Sequence, residues 1–229
     1  MAVLFVDGRM IRLYSVPPSL YSAKVRIVLR AKQLDWEDVL PPGGYGSDEY
    51  RQLVPFGTLP AIDHGGIVIA DSEAINEYLN ELAPQPRMWP QDIVERARAR
   101  SLSRFHDTRL EPAVRVLFAH VDPAKRDKAF VARQSALISD RLEQFVRIAK
   151  PIPLLTGDRL SLADCGYPIT LTFIEMLNRP MALNIALPDK VSDYFSALQR
   201  EPSVASELAS YRPALEAWIE STIGTGNEA

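Results

Sequence analysis

The sequence has a single cysteine, Cys165, and only three histidines, His64, His106 and His120. One thiol cannot form an internal disulfide, and it suits a reducing compartment. Three histidines at unrelated spacings do not make the usual ligand set of a zinc site. We therefore expect neither a disulfide framework nor a bound metal.

Long hydrophobic runs and an excess of one charge are also missing. No apolar stretch approaches the roughly 18 residues that span a bilayer, and the opening segment, residues 1–6, is too short and lacks the basic leader of a signal peptide. Lys and Arg number 26 against 29 Asp and Glu, so the net charge provides no general attraction for nucleic acid or anionic lipid. We expect a cytoplasmic protein that binds neither nucleic acid nor membranes.

A proline-rich stretch divides a chain that is otherwise ordinary in composition. The 229 residues, 47% of them hydrophobic, suffice for one to two packed domains. Three of the 18 prolines (Pro84, Pro86, Pro90) lie in residues 84–92, which is typical of a linker. Short apolar runs alternate with helical patterns before this stretch, and almost everything after it has helical period. We predict an α/β domain over 1–83, a linker over 84–92, an all-α domain over 93–223 and a flexible tail over 224–229.

Apolar periodicity predicts the individual elements. The first domain should begin with a hairpin of two strands, Val3–Val6 and Met10–Tyr14, joined at Asp7-Gly8. A helix, Ala23–Lys32, and an irregular segment follow. Two strands, Leu59–Asp63 and Ile67–Ala70, should then enclose the turn His64-Gly65-Gly66, and a second helix, Ala74–Leu82, should end the domain. The second domain should begin with a long helix, Ile93–Val121, bent at Pro112. Three further helical patterns follow, at Val131–Phe145, Ile169–Leu177 and Val191–Leu198.

The turn Ser19-Leu-Tyr-Ser22 is the first candidate site, because it lies between a predicted strand and a predicted helix. A helix N-terminus offers unpaired N–H groups and a partial positive charge, so hydroxyls there can hold an anion such as a thiolate. The alternative is that Ser19 or Ser22 only caps the helix, which is the commoner role of serine at this position.

Two more candidates follow in the same domain. Pro60 stands at the start of a predicted strand, where a cis bond would turn the preceding backbone toward a ligand; an ordinary trans loop proline is the alternative. Asp71-Ser72 opens a predicted helix. Either residue is a normal N-cap, or Ser72 receives a ligand carboxylate while Asp71 pairs with a ligand ammonium, which together would recognise an amino-acid head group.

Taken together, these motifs resemble the glutathione transferase superfamily, in particular its cytosolic, bacterial-type members with a theta- or zeta-like active-site serine. The resemblance rests on three segments in this order, residues 13–27 (LYSVPPSLYSAKVRI), 55–60 (PFGTLP) and 71–75 (DSEAI). It continues in the helical part, where Ser161 and Asp164 of residues 155–164 (LTGDRLSLAD) match the family's N-capping box.

This resemblance implies a thioredoxin-like α/β domain followed by an all-α domain, and a homodimer in which the first domain of one subunit meets the second domain of the other. It implies glutathione as cosubstrate. Leu59, before a cis Pro60, would offer backbone hydrogen bonds to the cysteinyl part, and Asp71 and Ser72 would hold the γ-glutamyl group. Ser19 would be the catalytic residue, with Ser22 and Tyr21 as alternates.

The implied function is a glutathione-dependent transferase that activates the glutathione thiol for attack on a small electrophile, by conjugation, dehalogenation or ether cleavage, as in detoxification. We place the electrophile near Phe105, His106, Arg109 and Phe118 of the first long helix, although core packing or solvent exposure is the commoner state for each. One alternative is a zeta-like cis–trans isomerase of a maleyl acid, whose Ser-Ser-Cys signature is replaced here by Ser19-Leu20-Tyr21. A binding protein that retains the fold without the chemistry is another.

Overall fold

The structure, a computed structural model, describes residues 10–224. The chain divides into two compact units, Met1–Arg87 and Met88–Ala229. The division falls inside residues 84–92, the predicted linker, which contain neither helix nor strand. The predicted domain limits themselves stay a prediction. The predicted strand Val3–Val6 and its turn lie outside the described residues, as does the predicted tail apart from Gly224.

The first unit is built on a mixed four-stranded sheet with the strand order β2-β1-β3-β4. Strand β1 is parallel to β2 and antiparallel to β3, and β3 forms a hairpin with β4. Together with the helices this confirms the α/β fold class. The elements are β1 Ile11–Tyr14, α1 Leu20–Lys32, β2 Trp36–Val39, α2 Asp48–Leu53, β3 Ala61–His64, β4 Ile67–Ala70 and α3 Ser72–Leu82.

The sequence prediction missed β2 and α2, which lie in the segment we expected to be irregular. Strand β2 is at the sheet edge and contains Glu37 and Asp38, and acidic residues are depleted in strands. Helix α2 has six residues, too few to show a helical period. Strand β3 begins at Ala61 and not at Leu59, because Pro60 has no N–H to donate to the ladder.

The second unit is helical throughout its described part, which confirms the all-α prediction. Within residues 10–224, no helix is long and apolar enough to cross a membrane. Helix α9 was not predicted from the sequence. The elements are α4 Ile93–Phe105, a π-helical turn His106–Leu110, α5 Glu111–Arg115, 3₁₀ turns Val116–His120 and Pro123–Lys125, α6 Lys128–Ile148, α7 Tyr167–Asn178, α8 Asp189–Arg200 and α9 Pro202–Gly224.

The long helix predicted over Ile93–Val121, with a bend at Pro112, is instead divided, and α4 ends before Pro112 in a π-helical turn. The backbone N–H of Glu111 bonds to the carbonyl of His106, five residues back, so the chain widens into a π turn. Proline cannot donate to an α-helical ladder, and its ring clashes with the carbonyl four residues earlier. The wider turn accommodates Pro112 at the beginning of α5 and changes the direction in which the side chains after Phe105 point.

Asp164 organises the core of the second unit and confirms the predicted contact with Ser161. One carboxylate oxygen accepts hydrogen bonds from the backbone N–H and hydroxyl of Ser161, at 2.9 and 2.5 Å, and the other from Leu155 N–H and Tyr194 Oη, at 3.0 and 2.8 Å. Full burial raises the pKa of Asp164, while these four donors act in the opposite direction. The carboxylate thus ties the loop before α7 to α8.

Candidate functional site

Ser19 is the N-cap of α1. Its Oγ accepts hydrogen bonds from the backbone N–H of Ser22 at 3.3 Å and from the Ser22 hydroxyl at 2.9 Å. A hydroxyl has two acceptor sites and one donor, so both acceptor sites of Ser19 are occupied. Its own O–H has no acceptor among residues 10–224, and the side chain is partly exposed. The geometry leaves Ser19 able to donate one hydrogen bond outward.

The start of α1 adds a second donor beside Ser19. Helix α1 has 13 residues and no acidic side chain in its first turn, so its positive end is not neutralised locally. The backbone N–H of Leu20 has no intrahelical partner at this position, and no residue within 10–224 accepts it. A hydroxyl and a backbone N–H at a helix N-terminus can together stabilise an anion.

Ser22 and Tyr21, the two alternates for Ser19, occupy different environments. Ser22 is fully buried and donates its hydroxyl to Ser19. Tyr21 is partly exposed, and its ring lies 6.0 Å from Lys24 Nζ. Ser22 therefore orients the Ser19 hydroxyl, and Ser19 is the serine of this turn with accessible surface. Their catalytic roles stay predictions.

The bond between Leu59 and Pro60 is cis, as predicted. Leu59 packs beside a buried cluster that includes Tyr14 and Tyr50, while its main-chain N–H and C=O have no partner among the described residues. The Tyr50 hydroxyl donates to Thr58 O at 3.0 Å. Burial, and then the neighbouring Tyr14, raises the pKa of Tyr50 to about 12, so this donor stays protonated. Tyr50, which the sequence analysis did not single out, supports the loop before Leu59.

Asp71 is the N-cap of α3 and has an unusual backbone, with φ 78° and ψ 122°. Left-handed φ values cost non-glycine residues about 1–3 kcal/mol and concentrate at functional sites. Asp71 Oδ1 accepts from the N–H groups of Glu73 and Ala74 at 2.9 and 3.1 Å, while Oδ2 has no partner within 10–224. The next residue, Ser72, is 7% exposed, and no described residue bonds to its hydroxyl. One carboxylate oxygen and one hydroxyl are thus free to bind a ligand.

An ion pair between a buried lysine and a half-buried glutamate connects the two helices that begin at these turns. Lys24 of α1 is 1% exposed and its Nζ lies 2.7 Å from Glu73 Oε2, in the first turn of α3. Helices α1 and α3 pack together along this contact. The sequence analysis missed the pair, although a lysine between Ala23 and Val25 on an apolar helix was a signal that it needs an acidic partner.

In the second unit, the four residues predicted to surround an electrophile have different environments. His106 opens the π turn and is buried, with Nε2 2.8 Å from Thr170 Oγ1 and Nδ1 2.8 Å from Asp107 Oδ1. A Cβ at position 166 would lie 2.4 Å from the His106 ring, so only glycine fits there. His106 thus holds a structural position at the kink, and a role toward a ligand stays a prediction.

Phe105, Arg109 and Phe118 lie nearer the surface. Phe105 is half-buried, with its ring centroid 6.3 Å from that of Phe145. Arg109 is exposed and forms no ion pair within the described ranges. Phe118 is half-buried and packs against Phe173 of α7 and Trp218 of α9, at centroid distances of 4.5 and 5.4 Å. Trp218 belongs to the helix that the sequence did not predict.

The comparisons with known proteins agree with one another on a single protein family. Residues 13–87 match the family model described as Glutathione S-transferase, N-terminal domain. The sequence is 39% identical over 211 residues to Glutathione S-transferase Z1 of Arabidopsis thaliana, covering 80% of this chain and 94% of that protein. It is 36% identical over 166 residues to Probable maleylacetoacetate isomerase 1 of Drosophila melanogaster, covering 68% and 66% of the two proteins.

The fold also has solved counterparts. One is a holo structure of maleyl pyruvate isomerase, described as a bacterial glutathione S-transferase in the zeta class, with a TM-score of 0.74 at 23% identity, covering 88% of this chain and 98% of that one. At this identity the likeness shows the fold alone. It agrees with the α/β unit followed by a helical unit seen here.

Proposed function

Because this chain belongs to the glutathione transferase family, we propose that it is a glutathione-dependent enzyme that activates the glutathione thiol for attack on a small electrophile. The observation that carries the proposal is the Ser19 hydroxyl. Its acceptor sites are filled by Ser22, so it can present its proton at the positive end of α1. Ser19 stabilises the thiolate and is not itself the nucleophile.

The free energy required to activate the glutathione thiol is modest. A free thiol has a pKa of about 8.5 and is only a few per cent thiolate at neutral pH. Lowering this pKa by about two units corresponds to about 2.7 kcal/mol. One hydroxyl hydrogen bond to an anion together with a helix N-terminus supplies stabilisation of this order. No further base is required in this scheme, because the thiol proton can leave to solvent.

Glutathione would be held by the unpartnered polar groups of the first unit. The free main chain of Leu59 suits antiparallel hydrogen bonds with the cysteinyl residue. The hydroxyl and backbone N–H of Ser72 suit the γ-glutamyl carboxylate, because the next three N–H groups of α3 already bond to Asp71. The second oxygen of Asp71 suits the γ-glutamyl ammonium. The Lys24–Glu73 pair would keep the two turns in register.

The reaction begins when the thiolate sulfur forms a bond to an electrophilic carbon. In dehalogenation the carbon–halogen bond breaks as the carbon–sulfur bond forms, and the halide leaves with the electron pair. In ether cleavage the carbon–oxygen bond breaks, and the departing oxygen takes a proton from solvent. In conjugation by addition, the electron pair of the attacked double bond or epoxide bond moves to the neighbouring atom, which takes a proton from solvent. Residues Phe105, His106, Arg109 and Phe118 stay the candidates for contact with the electrophile. The family resemblance also supports a homodimer and a cytoplasmic location, both of which belong to this proposal.

A second candidate is glutathione-dependent cis–trans isomerisation of a maleyl acid, favoured by the curated relative named as a maleylacetoacetate isomerase. In that reaction glutathione adds to the double bond, rotation about the resulting single bond follows, and glutathione leaves again. Leu20 and Tyr21 stand where the zeta signature has serine and cysteine, so this local motif favours the transferase.

The purified protein should be incubated with glutathione and either halogenated, epoxide and aryl-ether compounds or a maleyl acid. A transferase consumes one glutathione per product and gives a thioether, whereas an isomerase changes the geometry of the acid and leaves the glutathione concentration constant. Mass spectrometry with thiol titration separates the two. No turnover together with no retention on immobilised glutathione would contradict both and favour a non-catalytic protein.

A further inference from the structure

Three polar side chains meet where β1 ends, at the base of the turn that leads to Ser19. The Ser15 hydroxyl donates to Asp38 Oδ1 at 2.6 Å. Arg26 Nη1 lies 3.3 Å from the same carboxylate oxygen and 3.5 Å from Ser15 Oγ. Ser15 and Arg26 are buried, whereas Asp38, on the edge strand β2, keeps 43% of its side chain exposed. One carboxylate oxygen therefore joins β1, β2 and α1.

Ser15 is the anchor at the beginning of the turn. Its hydrogen bond to Asp38 has the length of a charge-assisted O–H···O⁻ bond, about 2.5–2.7 Å. The backbone N–H of Ser15 also donates to Val39 O at 3.0 Å. The main chain and the side chain of Ser15 are thus both attached to β2, and the turn starts from a fixed point.

Arg26 attaches the other end of the turn to the same oxygen. Ser19 is the N-cap of α1, and Arg26 follows it by seven residues, about two helical turns, so both lie on one face of the helix. The connecting segment, Val16-Pro17-Pro18, contains two prolines, which have no N–H to bond. The position of the Ser19 hydroxyl therefore depends on what holds Ser15 and α1.

We propose that Asp38 is a positioning residue for Ser19. Oδ1 keeps the beginning of the turn and the face of α1 at a fixed separation, and the Ser19 hydroxyl is thereby held where it can donate to a thiolate. The other oxygen of Asp38 accepts from Trp36 Nε1 at 3.1 Å, which orients the carboxylate. This inference rests on the proposed function of Ser19, and Asp38 itself is not part of the proposed glutathione site.

The charge of Asp38 and its contacts have opposite effects on the glutathione thiol. A nearby carboxylate disfavours a thiolate, so removal of the charge alone would lower the pKa of the thiol. Loss of the contacts would instead displace Ser19 and raise the pKa of bound glutathione toward the free value of about 8.5. Because the two directions differ, this pKa distinguishes a positioning role from a general effect of charge.

Two substitutions of Asp38 separate contacts from charge. Asp38→Ala removes both, whereas Asp38→Asn removes the charge and keeps an oxygen that can accept from Ser15 and Arg26. We expect Asp38→Ala to raise the thiol pKa, measured by thiolate absorbance, and to lower kcat/KM about tenfold to a hundredfold, the scale of a displacement of about 1 Å. Asp38→Asn should retain most of the activity without a rise in the thiol pKa. Glu37→Ala, which removes an exposed carboxylate from the same strand, is the matched control and should change neither value.

A Ser19→Ala background tests whether Asp38 acts through Ser19. With the Ser19 hydroxyl absent, Asp38→Ala should cause no further rise in the thiol pKa and a much smaller loss of kcat/KM than in the wild type. Independent contributions would instead add in free energy. An equal loss of kcat/KM in both backgrounds would therefore overturn the proposal.

Amide hydrogen exchange gives a readout that needs no glutathione. The N–H groups of Ser19 and Ser22 bond within the turn, to Val16 O and Ser19 Oγ. Both should exchange faster in Asp38→Ala than in the wild type. The N–H of Tyr50, which bonds to the cap of α2, is the internal reference and should keep its exchange rate.

The outcomes distinguish this proposal from the proposed function. Circular dichroism verifies that each variant is folded. Wild-type exchange at Ser19 and Ser22 in Asp38→Ala, a lower thiol pKa in that variant, or equal effects of Asp38→Ala and Glu37→Ala would each overturn the positioning role. If the wild-type protein shows no glutathione turnover, the proposed function fails, whereas the exchange rates still decide whether Asp38 holds the turn.

Discussion

Replacing Ser19 by alanine removes Oγ, which accepts two hydrogen bonds from Ser22. The N-cap of α1 is lost, which costs about 1 kcal/mol. The buried Ser22 hydroxyl also loses its acceptor, at 2.9 Å, and an orphaned buried donor costs about 1–3 kcal/mol. We expect Ser19→Ala to lower the free energy of unfolding by about 2–4 kcal/mol in total, a fall in Tm of about 4–16 °C for a protein of this size.

The effect of Ser19→Ala on catalysis should be much larger than its effect on stability. Loss of one donor to a developing anion costs about a hundred- to a thousandfold in turnover. Without that donor, the pKa of bound glutathione rises toward the free value of about 8.5. The acid limb of the pH profile of kcat/KM for the electrophile, measured at saturating glutathione, should therefore move to higher pH. The loss of activity is then greatest at low pH. Thiolate absorbance in the ultraviolet measures the same shift directly.

A double variant separates the two roles of Ser19. Ser19→Ala with Ser22→Ala removes the orphaned hydroxyl, so stability should recover partly toward wild type, whereas turnover and the thiol pKa should stay at the single-variant values. Ser47→Ala is the matched control, because Ser47 caps α2 in the same way, with Oγ 3.0 Å from Tyr50 N. Recovery of activity together with stability in the double variant would refute a direct role for Ser19.

Three further predictions concern stability and assembly. Lys24→Met removes the 2.7 Å contact of the half-buried Glu73 carboxylate with Lys24 and should lower the free energy of unfolding by about 2 kcal/mol, the value of a hydrogen bond to a charged group, measured by urea denaturation. Asp164→Ala leaves four donors without an acceptor and should lower Tm by at least about 6 °C, measured by calorimetry. Phe56 is 84% exposed; if the homodimer covers it, Phe56→Ser should weaken dimerisation about tenfold to a hundredfold, measured by sedimentation equilibrium.

Each of these has its own control. Restoring an apolar match with Lys24→Met and Glu73→Met should recover part of the lost stability, and no recovery would show that the ion pair is not the cause. Asp158→Ala, at an exposed position, should leave Tm unchanged, and an equal fall in both variants would count against the role of Asp164. A wild-type dissociation constant for Phe56→Ser would place Phe56 outside the dimer interface.

The sequence predicted the helices and strands whose residue pattern lies within the element itself or in an adjoining turn. Helices α6, α7 and α8 carry apolar residues at helical spacing, and the hairpin β3–β4 encloses a Gly-Gly turn. Strand β2 was missed because its sheet position depends on pairing with β1, more than 20 residues earlier. The π turn at His106 was missed because the proline that requires it lies outside the turn, at position 112.

The same distinction applies to the candidate site. Ser19, Pro60, Asp71 and Ser72 are recognisable because each lies at the end of an element, where residue type and position are both informative. The Lys24–Glu73 contact joins residues 49 positions apart, and the Tyr50 support for Thr58 depends on how α2 packs. Such contacts follow from tertiary packing, and periodicity in one sequence does not contain them.

For Ser19 and Asp71, the sequence leaves two roles open, helix capping and ligand binding. In the structure these two roles are compatible with each other. A serine hydroxyl has two acceptor sites and a donor, and Ser19 uses only its acceptors for the turn of α1. Asp71 likewise uses one carboxylate oxygen for α3 and leaves the other free. Capping fixes each side chain in a single orientation, and the remaining donor or acceptor is then held in place before a ligand arrives. At both positions, therefore, the capping bonds are what would make the ligand-binding role possible.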